Sequence, residues 1–158
     1  MKNALSILRD FLPENLLAIA TGFAGWLVLQ FVVNRVPWPV ENPNKASWAE
    51  QYAYSYGATI IIVVFLMPVI EEVLFRGLVF GNLRTKSPLV GYIVSCLLFA
   101  LLHVWQFAVV SQDITYFLLM VQYLVPGLIL AWVYERSGTL WASIALHAVT
   151  NALAVLVF

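Results

Sequence analysis

Long apolar runs separated by short polar segments dominate the chain. Five such runs cover residues 15–33, 52–80, 89–110, 114–134 and 140–158. Their lengths match the ~20 residues that an α-helix needs to cross the hydrocarbon core of a bilayer. A polar, proline-containing segment, residues 35–50, is typical of a loop. The pattern predicts an all-α fold, a polytopic membrane helix bundle with about five transmembrane helices, forming a single membrane domain over residues 1–158.

Composition strengthens this prediction. Hydrophobic residues make up 63% of the 158 residues and charged residues only 10%, whereas soluble domains are about half apolar and about a quarter charged. A soluble globule of this size could not bury so much apolar surface, and disordered chains are polar. The net charge of zero offers no basic face for a nucleic acid. The lipid bilayer is therefore the expected partner, and no nucleic acid is expected.

The distribution of basic residues predicts the orientation in the membrane. Five basic residues lie on the side of the N-terminus, and two lie on the other side. The first group is Lys2, Arg9, Arg84, Lys86 and Arg136, and the second is Arg35 and Lys45. The positive-inside rule then places the N-terminus in the cytoplasm. The first run is longer than a signal-peptide core, so we interpret it as a retained helix.

Five ionisable residues interrupt the apolar runs, namely Glu71, Glu72, Arg76, His103 and His147. A charged group at the bilayer centre costs on the order of 3 kcal/mol on insertion scales, so such residues suggest function. Glu72 and Arg76 are four residues apart and can form a supporting ion pair on one helix face. Glu71 points about 100° away on the helix. It is therefore a carboxylate without a partner on its own helix, which suits a general base.

Two further four-residue spacings place polar groups at a similar depth. His147 and Asn151 share one helix face, and Phe99 and His103 share another. With a rise of 1.5 Å per residue, Glu71 and these polar residues lie about 12–21 Å from the predicted cytoplasmic helix ends. This agreement requires the second helix to continue to Leu83, bent near Pro68. A carboxylate and a histidine can then activate a water, while a second histidine and an amide stabilise an oxyanion.

At these residues the sequence resembles a known family. The motifs are Glu-Glu-x-x-x-Arg from Glu71 to Arg76, Phe-x-x-x-His ending at His103, and His-x-x-x-Asn ending at Asn151. They resemble the CPBP family of CAAX proteases and bacteriocin-processing enzymes, also called Abi, which includes the Ras-converting type II CAAX prenyl endopeptidase. The resemblance covers a catalytic core of about residues 69–154.

The resemblance implies an intramembrane endopeptidase of the glutamic type. It would hydrolyse a peptide bond of a membrane-associated protein or peptide. We predict that this hydrolysis needs no metal and occurs at a site open to the cytoplasm. By motif position Glu71 and His103 would activate the water, His147 and Asn151 would form the oxyanion hole, and Glu72 and Arg76 would be supporting. No cofactor is expected. The small size suggests a prokaryotic cell membrane as its location.

Several alternatives stay open at this point. A zinc metalloprotease could use Glu71, His103 and His147 as ligands. A serine nucleophile at Ser143, one turn before His147, would leave Glu71 and His103 without a role. Cys96 is seven residues from His103, about 10 Å along the helix axis, so the two cannot hydrogen-bond within one helix and a small buried cysteine is expected there. The chain could also be a non-catalytic bacteriocin-immunity or scaffold protein, or a proton-coupled transporter.

Overall fold

The computed structural model describes residues 4–157, and it describes the side chains of residues 15–155 with the exception of position 45. Residues 4–157 contain helices and connecting segments but no strand. We number the six helices α1 to α6 in chain order. They are α1 (Ala4–Val33), α2 (Pro43–Tyr54), α3 (Tyr56–Leu83), α4 (Pro88–Ser111), α5 (Met120–Ser137) and α6 (Leu140–Val157).

The described helices confirm the predicted all-α membrane bundle. Four segments are long and apolar enough to cross a membrane, namely Asn15–Val33, Tyr56–Leu83, Pro88–Ser111 and Ile114–Ser137. A fifth apolar helix, Leu140–Val155, is shorter and packs against the others. The protein is therefore an integral membrane protein.

The prediction of a loop over residues 35–50 is partly wrong. Residues 43–50 belong to α2, and only residues 34–42 connect α1 to it. The helix begins here because Asn42 caps it, its side-chain oxygen accepting a hydrogen bond from the amide of Asn44 at 3.1 Å. Pro43 occupies the first turn, where its missing N–H is not needed. The proline that suggested a loop is thus a helix-start residue.

Helix α3 continues without interruption from Tyr56 to Leu83, as the common depth of the polar residues requires. It contains two π-helical segments, Ile60–Leu66 and Val73–Phe80, on either side of Met67–Glu72. The Met67 amide accordingly donates to the carbonyl of Ile62, five residues earlier. Such widened turns often occur at functional sites, and here they flank the two glutamates.

The buried core lies directly beneath the polar residues. It contains Phe75, Phe99, Leu130, Val133 and Leu146, contributed by α3 to α6, together with Ala18 of α1 and Ala142 of α6. Helix α1 packs on α5 and α6. It approaches them closely at Gly22, where an added Cβ would lie 2.6 Å from the Val133 side chain. Helix α1 is therefore packed tightly against α5 and α6 at this position.

Candidate active site

A cavity of about 980 Å³ extends from the centre of the bundle to one end. Helices α3 to α6 form its walls, while α1 and residues 34–48 cover one side. All four residues proposed to be catalytic line it, namely Glu71, His103, His147 and Asn151. Residues from four separate motif positions therefore share one compartment.

Glu71 lies at the inner end of this cavity. The residue is 5% exposed, and its Oε2 atom has no hydrogen-bond partner among the described residues. This oxygen faces two imidazoles, 3.8 Å from His103 Nε2 and 3.7 Å from His147 Nε2. Both distances exceed those of a direct hydrogen bond, and polar atoms at such spacing are commonly bridged by water.

The other ring nitrogen of each histidine has a fixed acceptor. His103 Nδ1 lies 2.8 Å from the carbonyl oxygen of Phe99, and His147 Nδ1 lies 2.9 Å from Glu72 Oε1. Because both acceptors lack a proton to give, each Nδ1 carries the hydrogen. The Nε2 atoms are consequently the ones available for chemistry, and both face Glu71.

Glu72 has a second contact that helical spacing alone does not reveal. Its Oε1 atom pairs with Arg76 Nη1 at 3.0 Å, as the four-residue spacing predicts, and also with His147 Nδ1. Glu72 and Arg76 are both 0% exposed. The guanidinium also donates to the carbonyl of Gly127 at 3.0 Å and lies over the Phe99 ring. Glu72 thus holds the imidazole of His147 in addition to pairing with Arg76.

Asn151 is held by an acceptor that Pro68 leaves free. In the π-helical register, the carbonyl of Val63 would receive the amide hydrogen of residue 68, but proline has none. The Asn151 Nδ2 atom instead donates to Val63 O at 2.9 Å. One of its two N–H groups is used in this way, and the second N–H is left for other contacts.

A polar cluster beside His103 was not anticipated from the sequence. The Tyr123 ring stacks on the imidazole with centroids 4.5 Å apart, while Phe99 covers another side at 4.6 Å. Asn42 and Asn44 donate to the Tyr123 hydroxyl at 2.7 and 2.8 Å. Asn44 also donates to the carbonyl of His103. The partners in these hydrogen bonds are 59–81 positions apart in the sequence. No local spacing could therefore have indicated the cluster.

The alternative nucleophiles do not reach the cavity. Ser143 is 0% exposed, and its hydroxyl donates to the carbonyl of Leu140 in its own helix. Cys96 is buried and, like Ser143, is absent from the cavity wall. In the described part of the chain, no group of three or more His, Cys, Asp or Glu side chains is arranged to hold a metal ion.

In this membrane helix bundle a buried carboxylate and two imidazoles face one cavity, and these are groups that can activate a water. The comparison with known families identifies the family. The sequence model for the type II CAAX prenyl endopeptidase Rce1-like family matches residues 54–153. The chain belongs to this family.

One curated relative is the UPF0177 protein YxdF of Lactococcus lactis subsp. lactis (strain IL1403), which is 31% identical over 90 residues. The alignment covers 57% of this chain and 44% of that protein. The chain therefore corresponds to less than half the length of this relative. No solved structure matches the chain.

Proposed function

We propose that the protein is an intramembrane endopeptidase of the glutamic type, which hydrolyses a peptide bond with a water activated by Glu71 and His103. The observation that carries the proposal is the position of Glu71 Oε2, which is buried, lacks a hydrogen-bond partner among the described residues and faces two imidazole nitrogens. A water held there can donate one hydrogen to Glu71 and the other to His103 Nε2. Its oxygen lone pair is then directed at a substrate carbonyl.

The position of His147 supports a donor role. Its Nε2 atom faces the same space as Glu71 Oε2, and Glu72 holds the ring through Nδ1. His147 can then donate from Nε2 to the oxyanion that forms on the attacked carbonyl.

Asn151 would supply the second oxyanion donor. Its amide is oriented by Val63 O, which leaves its other N–H free for the oxyanion. A preorganised donor of this kind contributes ~2.7–4 kcal/mol to transition-state stabilisation in other enzymes. As the new C–O bond forms, the water proton passes to Glu71. When the C–N bond breaks, the same proton passes to the leaving amine.

The proposal requires no metal, so the direct test is activity after chelation. Purified protein in detergent is assayed with internally quenched peptides before and after exhaustive chelation, and the metal content of the same sample is measured. We expect the rate of cleavage to be unchanged when the sample contains less than one metal ion per protein molecule. We expect the Glu71→Gln variant to lose cleavage. Loss on chelation that stoichiometric zinc alone restores would instead identify a two-histidine, one-carboxylate metalloprotease.

Asn151 allows a sharper test, because its structural and chemical roles can be separated. Asn151→Ala leaves Val63 O without its donor and removes the proposed oxyanion donor. Pro68→Ala supplies an N–H five residues after Val63. In the double variant we expect thermal stability to recover while cleavage stays reduced by on the order of 10²-fold. Recovery of both properties would show that Asn151 only satisfies the helix carbonyl.

The substrate would be a peptide or protein in or at the membrane. We place the protein in a prokaryotic cell membrane, which the bacterial relative supports. The basic residues Arg84, Lys86 and Arg136 favour a cytoplasmic location for the loops that connect α3 to α4 and α5 to α6, and hence for the N-terminal side of α1.

A further inference from the structure

Residues 34–48, which we call the covering segment, close one side of the cavity and also contact the catalytic level. Asn44 donates one hydrogen of its side-chain amide to the carbonyl oxygen of His103 at 3.0 Å and the other to the Tyr123 hydroxyl at 2.8 Å. An asparagine amide has two hydrogens, so both are used. The covering segment is therefore attached to α4 at a proposed catalytic residue, and to α5.

Asn42 completes the hydrogen bonding of the Tyr123 hydroxyl. Its Nδ2 atom donates to this hydroxyl at 2.7 Å, and the hydroxyl donates to its Oδ1 atom at 3.0 Å. Together with the bond from Asn44, the hydroxyl accepts two hydrogens and donates one, which is its full capacity. Tyr123 thus has no hydrogen left to give to a substrate, and its hydroxyl serves to hold its ring in place.

The ring held in this way contacts one face of the His103 imidazole. The two ring centroids are 4.5 Å apart and the planes differ by 24°. Phe99 lies against the imidazole at 4.6 Å, and its carbonyl oxygen is 2.8 Å from Nδ1. The remaining nitrogen, Nε2, is 3.8 Å from Glu71 Oε2. Because a small displacement of a catalytic group reduces the rate strongly, the direction of Nε2 depends on Tyr123 staying in place.

From these contacts we infer that Asn42 and Asn44 are positioning residues for His103, and that the covering segment is a functional part of the active site. Both asparagines lie outside residues 54–153, the part of the chain that the family model matches, so membership of the family assigns them no role. The effect on turnover rests on the proposed function of His103, whereas the effect on the placement of its imidazole does not.

Asn44→Ala tests the positioning role by kinetics. The variant loses both bonds of the amide, so we expect kcat to fall by about 10- to 100-fold with little change in KM, comparable to the loss of an outer partner of a functional histidine. Asn82→Ala is the matched control, because Asn82 Nδ2 also donates to a helix carbonyl, that of Leu78, but away from the cavity wall. Its kcat should equal that of the parent chain.

The two histidines of the chain provide a readout that needs no activity. Diethyl pyrocarbonate acylates unprotonated imidazole nitrogens, and mass spectrometry reports the extent at each residue. His147 is the internal reference, since its ring is held by Glu72 and not by the asparagines. In Asn44→Ala we expect His103 to be modified severalfold faster relative to His147 than in the parent chain. General loosening of the bundle would instead accelerate both residues.

Asn44→Ser serves as the second variant if Asn44→Ala does not accumulate. In Asn44→Ala/Tyr123→Phe the loss of kcat should be smaller than the product of the single losses, because both changes act through one hydroxyl. A raised KM with unchanged kcat would assign Asn44 to substrate binding and overturn the inference, and so would an unchanged ratio of His103 to His147 modification. If the parent chain cleaves no peptide, the proposed function fails and the modification ratio alone decides the positioning role.

Discussion

Glu72→Gln is the substitution for which the structure gives the most specific expectation. The change keeps the shape of the side chain but removes the negative charge of the carboxylate. One oxygen of this carboxylate, Oε1, contacts both Arg76 at 3.0 Å and His147 at 2.9 Å. Arg76 would then be a fully buried cation whose remaining contacts are the carbonyl of Gly127 and the Phe99 ring. Removing one partner of a buried ion pair costs ~3–5 kcal/mol.

The expected loss of stability is large enough to measure directly. At roughly 2–4 °C per kcal/mol for a chain of this size, the unfolding midpoint in detergent should fall by roughly 6–20 °C. Cleavage should fall as well, because His147 loses the carboxylate that fixes its Nδ1 hydrogen. Comparable losses of a histidine's acidic partner reduce activity by on the order of 10²- to 10⁴-fold.

A second substitution separates these two effects. In Glu72→Gln/Arg76→Gln both charges of the buried pair are absent, so most of the stability should return. Cleavage should not return, since His147 still lacks its carboxylate. Arg76→Gln alone should lower stability while keeping more activity than Glu72→Gln. The measurements are thermal unfolding and single-turnover cleavage on the same preparations. An unchanged midpoint and rate in Glu72→Gln, or restored cleavage in the double variant, would refute the reasoning.

Three other predictions concern helix packing and the catalytic groups. Gly22→Ala should lower the free energy of unfolding by ~1–3 kcal/mol, because the added Cβ would overlap side chains at 2.6 and 2.8 Å. Gly25→Ala is the matched control and should leave the stability nearly unchanged, since its Cβ would meet only one atom, at 3.8 Å. Tyr123→Phe keeps the ring stacked on His103 but removes a hydroxyl that takes part in three hydrogen bonds. We therefore expect a reduced kcat with little change in KM. An unaltered kcat would contradict a positioning role for Tyr123. Glu71→Gln should abolish cleavage with a midpoint close to that of the parent chain, and residual turnover near the parent rate would exclude Glu71 as the base.

The sequence alone determined the parts of this protein that depend on local pattern. Runs of apolar residues of membrane-spanning length must form helices in a bilayer, since backbone groups have no other partners there. The four-residue spacing of Glu72 and Arg76 fixed their ion pair, because such residues lie on one helix face. The three motifs and their order were sufficient to indicate the family.

Other features could not be predicted because they join residues that are far apart in sequence. The bond between Glu72 and His147 spans 75 positions, and the contact of Asn151 with Val63 spans 88. Both depend on how α3 packs against α6. The helical start at Pro43 was missed because a proline is compatible both with a loop and with a first helical turn.

The direction of the cavity was likewise decided only by tertiary structure. The sequence locates Glu71, His103, His147 and Asn151 at one depth, but depth along a helix does not say which end of a bundle is filled. That depends on packing, because the side chains of four helices close one end around Arg76 and leave the other open. Only the packed core therefore determines which end of the bundle the active site meets.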